Sequence, residues 1–165
     1  MFQGLLMSMP DIIKTPALMG ALWAHESERV YGDRLVNNKD LTLYIKNAKE
    51  IGRKYFKEIQ PGLLFPEPLI FCHFAKSVDD SDYDRVESFD GLRTILESGL
   101  RAYNEVNANM NLVLFEDAMR HVCRIGRIIQ NGHALLVGVG GSGKQSLSRL
   151  AAYICQFTTV QVRLA

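Results

Sequence analysis

Between residues 138 and 144 the chain reads Gly138-Val139-Gly140-Gly141-Ser142-Gly143-Lys144, and no other stretch limits the fold so tightly. Four glycines in so short a span remove the side chains that keep a bulky anion away from backbone N–H groups. The flanks give the loop a context. Ala134 to Val139 reads as a buried strand, and Lys144 to Cys155 reads as a helix with Leu147, Leu150, Ala151 and Ile154 facing a core. A strand, a glycine loop and a helix N-terminus together aim backbone N–H groups and a partial positive charge at one point. Lys144 adds a full charge there. The pattern predicts a phosphate-binding loop formed by Gly138, Val139, Gly140, Gly141, Ser142, Gly143 and Lys144. The bland alternative is a glycine-rich turn beside an unrelated lysine, and the flanking strand and helix argue against it. Thr159 to Leu164 then alternates apolar Val160, Val162 and Leu164 with polar Gln161 and Arg163, which predicts a half-exposed second strand. Strand, loop, helix, strand opens a doubly wound α/β domain.

One position departs from the full motif. The residue after the lysine is ordinarily serine or threonine, whose hydroxyl ligates magnesium. Here it is Gln145, with Ser146 next. An amide oxygen is neutral and sits on a longer arm, and Ser146 is rotated about 100° further around a helix of about 3.6 residues per turn. Gln145 and Ser146 are the magnesium candidates, and the expectation is nucleotide binding with weak or absent magnesium-dependent hydrolysis. Hydrolysis also needs an acidic residue on a later strand, and the sequence reaches Ala165 before one occurs. Glu116 and Asp117 lie upstream, where they suit a helix start. No catalytic residue is assigned.

The rest of the chain is mostly helical in pattern. Thr15-Pro16 is a start signal, with Met19, Leu22, Trp23 and Val30 following at helical spacing. A helix fits Asn38 to Ile59, with Leu41, Tyr44, Ile45, Ala48, Tyr55, Phe56 and Ile59 on one side, ended by Gln60-Pro61-Gly62. Leu69 to Phe74 reads as a buried extended segment. Residues 79–90 hold Asp79, Asp80, Asp82, Asp84, Glu87 and Asp90, read as a solvated loop because an EF-hand's glycine and glutamate spacing is absent. A helix carrying Leu92, Ile95, Leu96 and Leu100 follows. The asparagine-rich stretch Asn104 to Asn111 is the expected domain boundary. Beyond it come the apolar run Leu112-Val113-Leu114-Phe115, a stripe of Leu114, Ala118, Val122, Ile125 and Ile129, and an Asn131-Gly132 turn.

Composition narrows the partners. Lysine and arginine number 19 against 18 acidic residues, a net charge of +1, too balanced for a backbone-phosphate binder of nucleic acid. No apolar run approaches the about 20 residues of a membrane span, so neither nucleic acid nor membrane is expected as a partner. The three cysteines, Cys72, Cys123 and Cys155, form no metal spacing and read as reduced core thiols of a soluble, intracellular protein. His25-Glu26 begins a zinc-protease pattern, but Arg29 stands where the second histidine belongs, so His25 reads as structural, like the isolated His73 and His121. Trp23 reads as core.

Several blocks together resemble the motor region of dynein heavy chains of the axonemal type. They are Leu22-Trp23-Ala24-His25-Glu26, Arg29-Val30 with Asp33-Arg34-Leu35, Tyr103-Asn104-Glu105-Val106-Asn107, Met110 to Ala118, and Ala134 to Leu147. The last is the most specific. Gln145 after the lysine is similar to the fourth AAA+ module of axonemal dyneins and unlike cytoplasmic ones. The chain departs from that family in a short Arg127-to-His133 connection, in Gly126 where asparagine is common, and from Phe157 to Ala165.

The resemblance implies an incomplete α/β fold. Residues 1–105 would be the helical small subdomain ending the third AAA+ module, and residues 106–165 the start of the P-loop α/β domain of the fourth. It implies Val113 and Leu114 at the adenine pocket and ATP or ADP, with magnesium a candidate, on the P-loop. It also implies a fragment not hydrolytically competent alone, contributing in a parent motor to ATP-driven, minus-end-directed microtubule movement of cilia and flagella. Partners would be the rest of the heavy chain ring, dynein intermediate and light chains, and microtubules; the place would be the cytoplasm, cytoskeleton and axoneme. The readings left beside it are a helical interaction module and a small P-loop nucleotide-binding protein.

Overall fold

The computed structural model describes residues 1–141 and 143–162. The chain forms two compact units, residues 1–71 and 72–165.

The first unit is helical. After a short α1 (Phe2–Leu5), α2 (Pro16–Val30) starts where Thr15 accepts a hydrogen bond from the Leu18 amide at 3.2 Å and Pro16 presets the first turn. Its buried residues include Ala21, Leu22, Ala24, His25 and Glu26. Trp23 is only half-buried, with its ring 5.3 Å from Phe56. Gly20 lets Leu64 and Ile59 approach α2 closely, a Cβ there standing 2.7 and 3.4 Å from them. Arg29 pairs with Glu28 and, at 3.3 Å, with Asp33 in a 3-10 turn at Gly32–Arg34. His25 is structural, as its sequence context suggested: Nδ1 lies 3.2 Å from the Leu69 carbonyl and the ring stands 5.4 Å from Phe71.

Helix α3 (Asn38–Tyr55) is capped by Asn37, which accepts from the Asp40 amide at 2.8 Å. It ends at Tyr55 rather than Ile59, because Pro61 begins a separate short helix, α4 (Pro61–Leu64). Of its expected apolar face only Ala48 is buried, together with Gly52. Leu41, Ile45 and Tyr55 stay exposed, because α2 and α4 cover only the middle of the helix.

The second unit begins where β1 (Phe71–Cys72) pairs with β2 (Asp84–Arg85). The Leu69–Phe74 segment is buried as its composition predicts, from Ile70 to Cys72 and at Phe74. The acidic stretch is not wholly solvated: Tyr83, Asp84 and Val86 are buried, and Lys76 pairs with Asp84 at 2.6 Å. Pairing with β1 draws that part inward, and the lysine compensates the buried carboxylate.

Three helices complete this unit: α5 (Phe89–Val106), α6 (Glu116–Asn131) and α7 (Lys144–Ile154). Ser88 caps α5 by accepting from Gly91 at 3.1 Å. The core joins Leu92 and Leu96 of α5, Ala118, Met119, Val122 and Ile125 of α6, and Leu147, Leu150, Ala151 and Ile154 of α7. Gly99 admits Ile154 and Gly126 admits Phe74 and Cys155; a Cβ at either glycine would stand 3.0–3.2 Å from those side chains. All three cysteines are free, and Cys123 adds to burial in raising the pKa of the Cys72 thiol. The asparagine-rich stretch lies inside this unit, between α5 and α6. Asn104 fixes it there, accepting from the Met110 amide at 2.9 Å and donating to the Met110 carbonyl at 3.2 Å.

The two expected strands around the glycine loop do not form. Residues 132–141 carry no regular structure and are exposed, Leu135 by 90%, Val137 by 86% and Val139 by 79%. Val160 and Val162 are equally open, and Leu164 lies outside the described residues. A strand is held by its neighbours in a sheet, and among the described residues neither segment finds one.

Candidate phosphate-binding loop

The loop joins α6 to α7. Gly132 closes α6, and the chain runs exposed to Gly141. Gly141 and Gly143 hold φ of +76° and +75°, the left-handed region that a Cβ disfavours. Gly143 is also the N-cap of α7, and its carbonyl accepts the Leu147 amide at 2.9 Å. A Cβ at Gly140, Gly141 or Gly143 would meet nothing within 4 Å. The glycines are therefore not there to make room for neighbouring protein. They permit the backbone path and leave its N–H groups accessible.

Lys144 reaches back across this path. Its ammonium donates to the carbonyl oxygens of Gly138 at 2.7 Å and Val139 at 2.6 Å. A lysine ammonium has three donors and no acceptor, so the positive charge is pinned at the mouth of the loop, ahead of the α7 N-terminus. Ser148 donates to the Lys144 carbonyl at 2.6 Å, one turn along.

A cavity of 280 Å³ opens beside Lys144, lined by Gln145, Ser148, Arg149, Thr159, Val160 and Gln161. Arg149 donates to the Gln161 side-chain oxygen at 2.8 Å and so ties the segment after α7 to the helix. The path between them is a Schellman turn: Gln156, at φ +61°, donates to Tyr153 at 3.0 Å, and Phe157 donates to Ala152 at 2.8 Å. A larger space of 490 Å³ continues along α7 past Tyr103, Tyr153 and Phe157. Sequence patterning missed this groove, because the Schellman turn has glutamine where glycine is the usual signal.

The remaining site residues are placed as follows. Gln145 is exposed and Ser146 half-buried at the start of α7. Leu114 is buried and its carbonyl accepts from Arg93 at 3.4 Å, whereas Val113 is 78% exposed. Ser142 lies outside the described residues. No cluster of three His, Cys, Asp or Glu side chains suited to a metal ion occurs among the described residues. No helix among them is long and apolar enough to cross a membrane.

Residues 110–165 match the family described as the P-loop containing dynein motor region D4, and residues 1–66 match the AAA+ lid domain. The flagellar outer arm dynein alpha chain of Chlamydomonas reinhardtii is 56% identical over 98% of this chain. The chain belongs to the axonemal dynein heavy chain family. Dynein axonemal heavy chain 11 of Sus scrofa is 53% identical and heavy chain 17 of Homo sapiens 52%, each over 99% of this chain. The chain spans about 4% of the length of these heavy chains. Its fold class is accordingly that of an AAA+ lid followed by part of a P-loop motor region. A P-loop region of that family implies nucleotide binding.

Proposed function

We propose that this chain supplies a nucleotide-holding station of an axonemal dynein motor ring, with residues 1–105 acting as the small subdomain of one AAA+ module and residues 106–165 as the start of the next. The nucleotide is ATP or ADP. Its phosphates lie on the backbone of Gly138 to Gly143, held by the Lys144 ammonium and the α7 N-terminus. The observation that carries this reading is Lys144 reaching the loop's own carbonyls while Gly140, Gly141 and Gly143 face open space. The donor set suits a polyphosphate anion. It suits magnesium less well, since Gln145 and Ser146 offer only neutral oxygens, and we infer that hydrolysis here is weak. Val113 and Leu114 contribute to the base pocket.

In the parent motor the station regulates ATP-driven, minus-end-directed movement along microtubules in cilia and flagella. The rest of the heavy chain ring, intermediate and light chains and microtubules are its partners, and the cytoskeleton of the axoneme is its place. The names of the relatives, which refer to flagellar outer arms, cilia and axonemes, support that setting.

Calorimetric titration of the chain with ATP and ADP, with and without magnesium, beside Lys144→Ala, tests the reading. Binding that is lost in Lys144→Ala and depends little on magnesium supports it. Binding that survives Lys144→Ala removes the P-loop from the function and leaves a helical interaction module. Fast magnesium-dependent ATP turnover would overturn the assignment of weak hydrolysis.

A further inference from the structure

Helix α5 anchors the segment 110–114 at both ends. The half-buried Asn104 side chain accepts from the Met110 amide at 2.9 Å and donates to the Met110 carbonyl at 3.2 Å, so one side-chain amide meets both backbone polar groups of that residue. About three turns earlier on the same face of α5, Arg93 donates to the Leu114 carbonyl at 3.4 Å. The segment therefore runs back along the helix. Its side chains divide: Leu114 is buried, whereas Val113 and the following Phe115 are 78% and 59% exposed. The buried leucine seats the segment, and the open residues present apolar surface of the kind that covers a ligand's flat face. Tyr103, next to Asn104, is buried and packs edge-on against Tyr153 of α7, with ring centroids 5.3 Å apart. One turn of α5 thus holds both this segment and the helix that begins at Lys144.

A segment without regular structure loses conformational freedom when a ligand orders it, and that loss is subtracted from affinity. Asn104 removes the loss in advance by fixing Met110. We propose that Asn104 is a positioning residue for nucleotide binding, whose paired hydrogen bonds hold the base-contacting segment in register with the phosphate loop. This rests on the reading of Val113 and Leu114 as part of the base pocket. Asn104 then acts on the base alone and leaves the hold on the phosphates untouched.

Calorimetric titration of the chain with ATP and with inorganic tripolyphosphate separates the two contributions. The unaltered chain should bind ATP at least about tenfold tighter than tripolyphosphate. Asn104→Leu, similar in size but unable to form either hydrogen bond, should reduce ATP affinity about tenfold and leave tripolyphosphate affinity within about twofold. Asn104→Asp keeps the acceptor for the Met110 amide and loses the donor to the carbonyl, so its loss of ATP affinity should fall between. Circular dichroism checks the helical content of each, and if Asn104→Leu does not fold, Asn104→Asp decides by the same ratio. Equal losses for both ligands would make Asn104 a structural residue only and overturn the proposal, as would ATP affinity unchanged in both variants. An unaltered chain that binds the two ligands equally fails earlier: it removes Val113 and Leu114 from the base pocket, and the proposal with them.

Discussion

The Lys144 ammonium donates to the Gly138 carbonyl oxygen at 2.7 Å, joining the first turn of α7 to the far side of the glycine loop. Residues 132–141 have no other described side-chain tether, so this lysine restrains them. Lys144→Ala should increase the rate of limited proteolysis within 132–141 several-fold while leaving cleavage elsewhere unchanged. Mass spectrometry of the fragments locates the cuts.

The glycines of the loop separate into two kinds. Gly143 holds φ +75°, so Gly143→Ala forces an L-residue into the left-handed region at a cost of about 1–2 kcal/mol. Gly140 has open space and no such angle. Gly140→Ala should leave the urea midpoint within error, yet weaken ATP binding by crowding the backbone that holds phosphate. Urea unfolding and calorimetry on both variants check the contrast.

Leu64 sits between two helices because glycine stands opposite it on each. A Cβ at Gly52 of α3 would come within 2.6 Å of Leu64, and one at Gly20 of α2 within 2.7 Å. Gly52→Ala should destabilise the first unit by about 1–3 kcal/mol through overpacking. Combining it with Leu64→Ala should cost less than the sum of the two single changes, because the second removes the clash made by the first. A double-mutant cycle by urea unfolding measures the coupling.

His73 should make stability depend on pH. Burial, and then the nearby Arg127, hold its pKa below the usual 6.5. The unfolded chain therefore takes up the proton first as pH falls, so stability is full above about pH 6.5 and declines below it. His73→Gln should flatten that part of the profile. Unfolding midpoints from pH 7.5 down to pH 5 for both chains give the difference.

The thiols should be slow to react in the folded state. Burial raises the pKa of Cys72 well above its ordinary value, helped by Cys123, and pushes Cys155 up to about 11. The thiolate is the reactive form, so Ellman's reagent at pH 8 should label the native chain far more slowly than the chain in guanidinium. Counting released chromophore over time in both conditions tests this.

What the sequence determined was local. The cap at Thr15, the core faces of α6 and α7, the structural role of His25 and the glycine loop with its lysine all follow from residue types at fixed short spacings. The family was legible for the same reason, since the blocks around Trp23, Asn111 and Lys144 are contiguous. Tertiary structure decided what needed distant partners. Ala134–Val139 has the composition of a buried strand, but a strand exists only against a neighbour, and the segment stays open. The face of α3 reads as core, yet its neighbours bury only Ala48 and Gly52 and half-cover Tyr44, which donates to Ser27 of α2 at 3.0 Å, so Leu41, Ile45 and Tyr55 face outward. Tyr83 and Asp84 are buried inside an acidic run because β1 pairs there and Lys76 compensates the charge. Spacing along a chain records the period of a helix or the needs of a loop. It does not record which surface another segment will cover.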